Sequence, residues 1–232
     1  VDGKAETDRS KCTICGDCES ACFNEAREVA GKEYSIQELY KKASRDAIFF
    51  EQSGGGVTLS GGEVMSSDMD FIEPLLKKLH RDGISVFIDT SAYAPYEKFE
   101  RILPYVDVFM IDIKAMDPEV HKKFMGVDNH LILENIRKLS EAGAKIYIRM
   151  PIIGGVNSSD EYILSVIDYL QSNHVYPAQI NLLPYHDIGK GKYANLDLDY
   201  DSDSMAVPSN ETMVHYQTMF EEKGFQNVKI GG

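Results

Sequence analysis

The sequence has no cysteine after residue 22, no block of basic residues, and no apolar run near the length of a membrane span. Each absence excludes something. An extracellular disulfide framework spreads its cysteines along the chain, so their confinement to one short stretch argues against it. With 24 Lys and Arg against 37 Asp and Glu, the formal net charge is -13. Such a surface repels nucleic-acid phosphates and anionic lipid, so neither nucleic acid nor membrane is expected as a partner. A bilayer span takes about 20 consecutive apolar residues, which the chain never assembles. No signal peptide opens it either, and a cytoplasmic location is expected. The opening Val1-Asp2-Gly3-Lys4 lacks an initiator methionine, which reads as the middle of a longer protein. The 232 residues, 43% hydrophobic, suit one sizeable domain with a small satellite.

The cysteines that are present form one run. Cys12, Cys15, Cys18 and Cys22 are spaced C-x2-C-x2-C-x3-C, the bacterial ferredoxin spacing for iron–sulfur ligation. An iron–sulfur cluster is the expected ligand; zinc comes second, because zinc sites usually split their ligands into two separated pairs. In two-cluster ferredoxins the fourth cysteine serves the other cluster. No second run is present, so Cys22 is either recruited differently or has partners upstream. Phe23 follows where proline often does. Residues 1–34, charged and poor in large apolar side chains, are expected to form a partial ferredoxin-type segment held together by metal. Residues 35–232 form the main domain.

That domain alternates strands and helices. Ser35-x-x-Glu38 is a capping box opening a helix through about Ala47. Three glycines lead into a strand, Val57–Leu59, which opens at once into Ser60-Gly61-Gly62-Glu63. Asp70-x-x-Glu73 starts a helix with Phe71, Leu75, Leu76 and Leu79 on one face, ending at Asp82-Gly83. Further strands are expected at Ile84–Ile88, Val108–Ile113, Lys145–Met150, Gln179–Leu183 and Val228–Ile230. Between them lie helices over Tyr96–Leu103, from Asp117-Pro118 to Gly126, over Leu131–Ala142, from the Ser158-x-x-Glu161 cap, and from Pro208-Ser209 to Gly224. This alternation predicts parallel pairing, in a barrel or an open doubly wound sheet, and periodicity does not choose between them. Asp187–Pro208, with Asp197, Asp199, Asp201 and Asp203, reads as a solvated loop; it lacks the glycine turn and terminal glutamate of a calcium-binding EF-hand.

Both folds gather chemistry at the C-terminal ends of their strands. Those tips carry, in order, Gly61-Gly62-Glu63, Asp89-Thr90, Asp112-Ile113-Lys114, Arg149 and His186. Singly each has a bland reading: a turn, two helix caps, a surface charge, a loop histidine. Together they form a set. Two carboxylates on neighbouring strands hold a cation, and a lysine with an arginine takes a ligand carboxylate. Glycine main chain suits an ammonium group, and a histidine suits a sugar hydroxyl. The implied ligand has amino-acid and sugar ends.

Thr58–Glu63, Asp89-Thr90, Asp112-Ile113-Lys114, Arg149 and Leu183-Pro184-Tyr185-His186 resemble the activating enzymes of glycyl radical enzymes, of the radical S-adenosylmethionine superfamily. The cysteine run and the Val228–Gly232 ending resemble the branch with an inserted ferredoxin-type auxiliary-cluster domain. The resemblance spans nearly the whole chain. It implies a partial (β/α)6 barrel of TIM type lacking its first strand, a [4Fe–4S] cluster and bound S-adenosylmethionine. Gly61, Gly62 and Glu63 would meet the methionine amino end. Asp89, Thr90, Asp112 and Ile113 would surround a monovalent cation and the ligand carboxylate, with Lys114, Arg149 and His186 completing the pocket. The implied reaction is reductive cleavage to a deoxyadenosyl radical, which takes hydrogen from a glycine of a partner glycyl radical enzyme. Flavodoxin or ferredoxin would be the electron donor.

The departures are equally specific. The family's C-x3-C-x2-C run is absent; counted from Cys18 and Cys22, its third cysteine would fall on Glu25. Val64 replaces the proline after Gly-Gly-Glu, and Ser91 stands where relatives often have cysteine or asparagine. The expectation is the C-terminal portion of an activating enzyme, inactive without the missing segment. The alternative is a non-catalytic electron-transfer or protein-binding module on the same scaffold.

Overall fold

A computed structural model describes residues 7–29, 31–195 and 204–231. After a four-residue helix α1 (Asp17–Ser20) come α2 (Ile36–Ala43) and α3 (Ala47–Ser53), joined by a single 3-10 turn. The capping box is present: Ser35 accepts from the Glu38 N–H, and Glu38 accepts from Ser35. Helix does not stop at Ala47 as expected but restarts there and ends at Gly54, whose φ of 67° suits a residue without Cβ. From Gly56 the chain alternates β1 (Gly56–Leu59), α4 (Met69–Arg81), β2 (Ser85–Thr90), α5 (Tyr96–Ile102) and β3 (Val108–Asp112). It continues through α6 (Pro118–Met125), α7 (His130–Glu141), β4 (Ile146–Ile152), α8 (Asp160–Ser172), β5 (Gln179–Pro184), α9 (Lys190–Asn195), α10 (Asn210–Glu222) and β6 (Val228–Ile230).

All six strands pair parallel, in the order β1-β2-β3-β4-β5-β6. A doubly wound sheet reverses direction part-way and so breaks sequential order. This one never does, which makes it the wall of a partial barrel. Burial alternates along β2 and β4. One face carries Val86, Ile88, Ile146, Ile148 and Met150, all at most 3% exposed, packed with Leu76, Leu79, Ile136, Leu139, Val166, Ile167 and Phe220. At roughly 25 cal/mol per Å² of apolar surface buried, this helix-covered face supplies most of the drive to fold. The other face is half-buried and carries Phe87, Asp89, Tyr147 and Arg149, with the two rings edge-on at 6.1 Å. No side chain of the described residues before Val64 is fully buried, so the cysteine segment adds nothing to this core.

Two caps sit one residue or two from where the sequence placed them. Asp68, not Asp70, caps α4, and the helix runs unbroken through Pro74. Ser159, not Ser158, caps α8 by accepting from the Tyr162 N–H, while the Ser158 hydroxyl meets the Tyr216 phenol. Part of the expected loop at 187–208 is helical, α9. Ala206 pairs with Gly154 in an antiparallel bridge. Asp197, Asp199, Asp201 and Asp203 lie outside the described residues.

Candidate functional site

The C-terminal strand tips share one edge because every strand runs the same way. Register then sets which side chains meet. Asp112 pairs with Arg149, Arg149 with Asn181, and Asn181 with Lys229, in one row across four strands. The Arg149 Nη1 donates to Asp89 Oδ1 at 2.7 Å, and its Nε lies 3.8 Å from Asp112 Oδ1. Lys114 Nζ lies 3.4 Å from Asp112 Oδ2, and Ser60 Oγ donates to Asp89 Oδ2 at 2.8 Å. Two carboxylates and two cations therefore alternate across the tips. Asp112 is the strained member. Burial pushes its carboxyl above the usual range; Lys114 and then Arg149 pull it back, and Asp89 pushes it up again. Its Oδ1 is buried and has no hydrogen-bond partner, an orphaned acceptor that a ligand donor or a cation would satisfy.

The glycine loop is held open from behind. Gly61 and Gly62 have φ of 86° and 55°, and no atom lies within 4 Å of where either Cβ would be, so the main chain is approachable. Glu63, next in the chain, is held by its neighbours. Its Oε1 accepts from Thr90 Oγ1 at 2.6 Å and Met65 N at 3.0 Å, and its Oε2 from Ser91 N at 2.8 Å and Ser91 Oγ at 2.6 Å. Four donors fill a carboxylate. Burial raises its pKa, yet the Ser91 and Thr90 hydroxyls and the two N–H groups outweigh this, and it stays below the ordinary range. Thr90 also accepts from the Ala92 N–H at 3.0 Å. Glu63 and Thr90 thus clamp the β1 and β2 loops together. Lys98 adds to the clamp, donating to the Met65 carbonyl at 2.6 Å and the Ser67 carbonyl at 3.2 Å. Val64, where proline was expected, is the buried first residue of a 3-10 turn, a position that takes either residue.

Ile113 is buried in the core and gives its N–H to the Arg149 carbonyl at 2.9 Å. His186 lies exposed beyond the end of β5 and makes no hydrogen bond or ion pair among the described residues. Cys12, Cys15 and Cys18 are exposed and Cys22 is half-buried. Among the described residues, no three His, Cys, Asp or Glu side chains form a group that could hold a metal ion. Cys22 differs from the others, since its Sγ accepts from the Ala26 N–H at 3.2 Å. That bond and others from the Asn24 and Arg27 main chain lower its pKa.

The model of the radical SAM superfamily matches residues 10–169. The chain belongs to that superfamily. Within it, the chain belongs with the activating enzymes of glycyl radical enzymes. It is 46% identical over 211 residues to the trans-4-hydroxy-L-proline dehydratase activating enzyme of Clostridioides difficile, covering 90% of this chain and 69% of that one. It is 36% identical to the indoleacetate decarboxylase activating enzyme of Tractidigestivibacter scatoligenes, covering 96% and 70%. A crystal structure of a domain of pyruvate-formate lyase-activating enzyme from Bacteroides vulgatus superposes with a TM-score of 0.66. It has 35% identity and covers 77% of this chain and 100% of that one. Radical S-adenosylmethionine proteins use a [4Fe–4S] cluster and S-adenosylmethionine.

The strand tips bring together groups of the kinds such a ligand carries partners for. They hold an unobstructed glycine main chain, two cations and one orphaned buried oxygen. Sequence reasoning missed Ser60, which joins the β1 loop to Asp89, and three buried asparagines, Asn129, Asn135 and Asn157. Each asparagine donates both amide hydrogens to main-chain carbonyls at or just beyond the C-terminal ends of strands. Asn135 carried a readable signal, since it interrupts the apolar stripe Ile132–Ile136–Leu139 of α7.

Proposed function

We propose that residues 56–186 form the S-adenosylmethionine-binding face of an activating enzyme whose partner is a glycyl radical enzyme of the hydroxyproline dehydratase type. One observation carries the reading: the alternating Asp89–Arg149–Asp112–Lys114 cluster lies beside an open Gly61-Gly62 loop, at the edge of a parallel partial barrel. The 46% identity to a hydroxyproline dehydratase activating enzyme supports the choice of partner.

In this reading Lys114 and Arg149 take the ligand's carboxylate. Asp112 Oδ1 accepts a donor from the ligand or a monovalent cation, and Asp89 keeps Arg149 in place. The Gly61-Gly62 main chain meets the ammonium end, while Glu63 and Thr90 hold that loop without reaching the ligand. His186, exposed beyond β5, is free to turn to a sugar hydroxyl. When bound, cluster and S-adenosylmethionine together supply reductive cleavage to a deoxyadenosyl radical that takes hydrogen from a glycine. The cysteines of these 232 residues all lie at 12–22 and include no C-x3-C-x2-C run, so the chain supplies the pocket wall and the docking side. Cys12, Cys15 and Cys18, exposed and outside the sheet, would hold an iron–sulfur cluster where flavodoxin or ferredoxin could pass it electrons. The acidic surface favours protein over nucleic acid as partner.

Competition tests this. A hydroxyproline dehydratase and its own activating enzyme are incubated anaerobically with S-adenosylmethionine and reductant, and the glycyl radical is read by electron paramagnetic resonance. Adding this chain in excess should lower the signal by occupying the dehydratase. An undiminished signal at saturating chain would refute the choice of partner.

A further inference from the structure

Four consecutive carbonyls follow β3, and each accepts a hydrogen bond from a buried side chain. Ile113 O takes the Tyr162 phenol at 2.8 Å. Lys114 O takes Asn157 Nδ2 at 2.8 Å. Ala115 O and Met116 O share Asn129 Nδ2, at 2.9 and 2.8 Å. Loop carbonyls shielded from water must find partners; the bonds to Ile113 O and Ala115 O are buried, and those to Lys114 O and Met116 O part-buried. Here the partners come from three places: α8, the loop before it, and the residue preceding α7. Asn129 occupies the N-cap position of α7 yet makes no cap bond there; its amide is turned to the strand tip instead. Asn157 does more. Its Nδ2 also donates to the Pro151 carbonyl at 2.7 Å, and its Oδ1 accepts from the Ile153 N–H at 2.7 Å. One carboxamide thereby joins the tip of β3 to the tip of β4. Lys114 follows the first, and Arg149 stands on β4 two residues before Pro151.

We propose that Tyr162, Asn157 and Asn129 are positioning residues that fix Lys114 relative to Arg149 and so set the affinity for the carboxylate end of the ligand. The inference rests on the S-adenosylmethionine reading of the site. The three residues act through the main chain of 113–116 and 151–153. Tyr162 and Asn157 work side by side, and burial keeps the phenol protonated as a donor by pushing its pKa well up.

A matched pair separates positioning from plain stability. Tyr162→Phe removes a buried phenol–carbonyl bond at the strand tip. Tyr169→Phe removes a like bond, to Leu133 O at 2.5 Å, from the same helix but away from the tips. Binding of S-adenosylmethionine to the whole chain is measured by calorimetry, with thermal midpoints and amide exchange of the 113–117 peptide alongside. Tyr162→Phe is expected to weaken binding about tenfold, the equivalent of one net hydrogen bond, and to speed exchange of that peptide. Tyr169→Phe should lower the midpoint comparably but leave binding and exchange at 113–117 unchanged. Asn157→Ala should exceed Tyr162→Phe in both readouts, and if it fails to fold the conservative phenylalanine pair still decides. Equal binding by Tyr162→Phe and parent, or losses that track the midpoint in all variants, would overturn the proposal. A parent chain that binds no S-adenosylmethionine contradicts the cofactor reading instead, and the exchange arm then decides the positioning on its own.

Discussion

Replacing Glu63 by glutamine keeps the shape of the side chain and turns one acceptor oxygen into an amide donor. Each carboxylate oxygen now accepts one main-chain N–H, Met65 on Oε1 and Ser91 on Oε2, and one hydroxyl. A hydroxyl can rotate to accept from the new amide, but a main-chain N–H cannot. Whichever way the amide turns, one buried N–H faces another donor. An unsatisfied buried donor costs about 1–3 kcal/mol, and the remaining bonds lose their charge assistance. The expected loss is roughly 3 kcal/mol, a fall in thermal midpoint of about 6–12 °C for a chain this size. The sign of its pH dependence follows from the depressed folded pKa. Its stabilisation is fully present above the ordinary glutamate value, about 4.3, and is lost as pH falls through the lower folded value. Calorimetric melts of parent and Glu63→Gln should therefore diverge at neutral pH and converge in acid. Equal midpoints at pH 7, or a gap that does not narrow in acid, would refute the clamp.

Two further outcomes follow from the charge cluster and the cysteines. Arg149→Met leaves Asp89 and Asp112 facing each other; the expected cost at neutral pH is about 1–3 kcal/mol. Because Asp112 already titrates high in the fold, acidification should protonate it and return part of that stability, which urea titrations at pH 7 and pH 5 would show. Anaerobic reconstitution with iron and sulfide should load iron only by drawing Cys12, Cys15 and Cys18 together. A Cys12→Ala, Cys15→Ala variant should lose the bound iron by elemental analysis, and dithionite with S-adenosylmethionine should yield no deoxyadenosine from either protein. Product from the parent above that variant would show the cysteine run to be misassigned.

The alternation was legible because glycine punctuates it. Gly83, Gly126, Gly143 and Gly224 all adopt positive φ at helix ends, where side chains are disfavoured, so helix exits could be read residue by residue. Cap positions slipped where two capping residues stand close together, as at Asp68 and Asp70 or Ser158 and Ser159, since only local geometry selects between them. The polar tips were legible as residue types following strands. Their partners were not. Arg149 meets Asp112 through register, which depends on how two strands 30 or more residues apart align. Asn157 reaches a carbonyl 43 residues away, and no local pattern encodes that. Glu63 was legible beside its glycines, but the donors to its carboxylate, Thr90 and Ser91, stand 27 and 28 residues further along the chain.

The central claim is that the Asp89–Arg149–Asp112–Lys114 edge holds the ligand. Calorimetric titration of S-adenosylmethionine into the parent chain, Lys114→Met and Arg149→Met measures this. The parent should bind, S-adenosylhomocysteine should compete, and each methionine variant should bind at least about tenfold more weakly, since each removes one charge-assisted contact to the carboxylate. Equal affinity in all three proteins, or no heat from the parent at millimolar ligand, would contradict it.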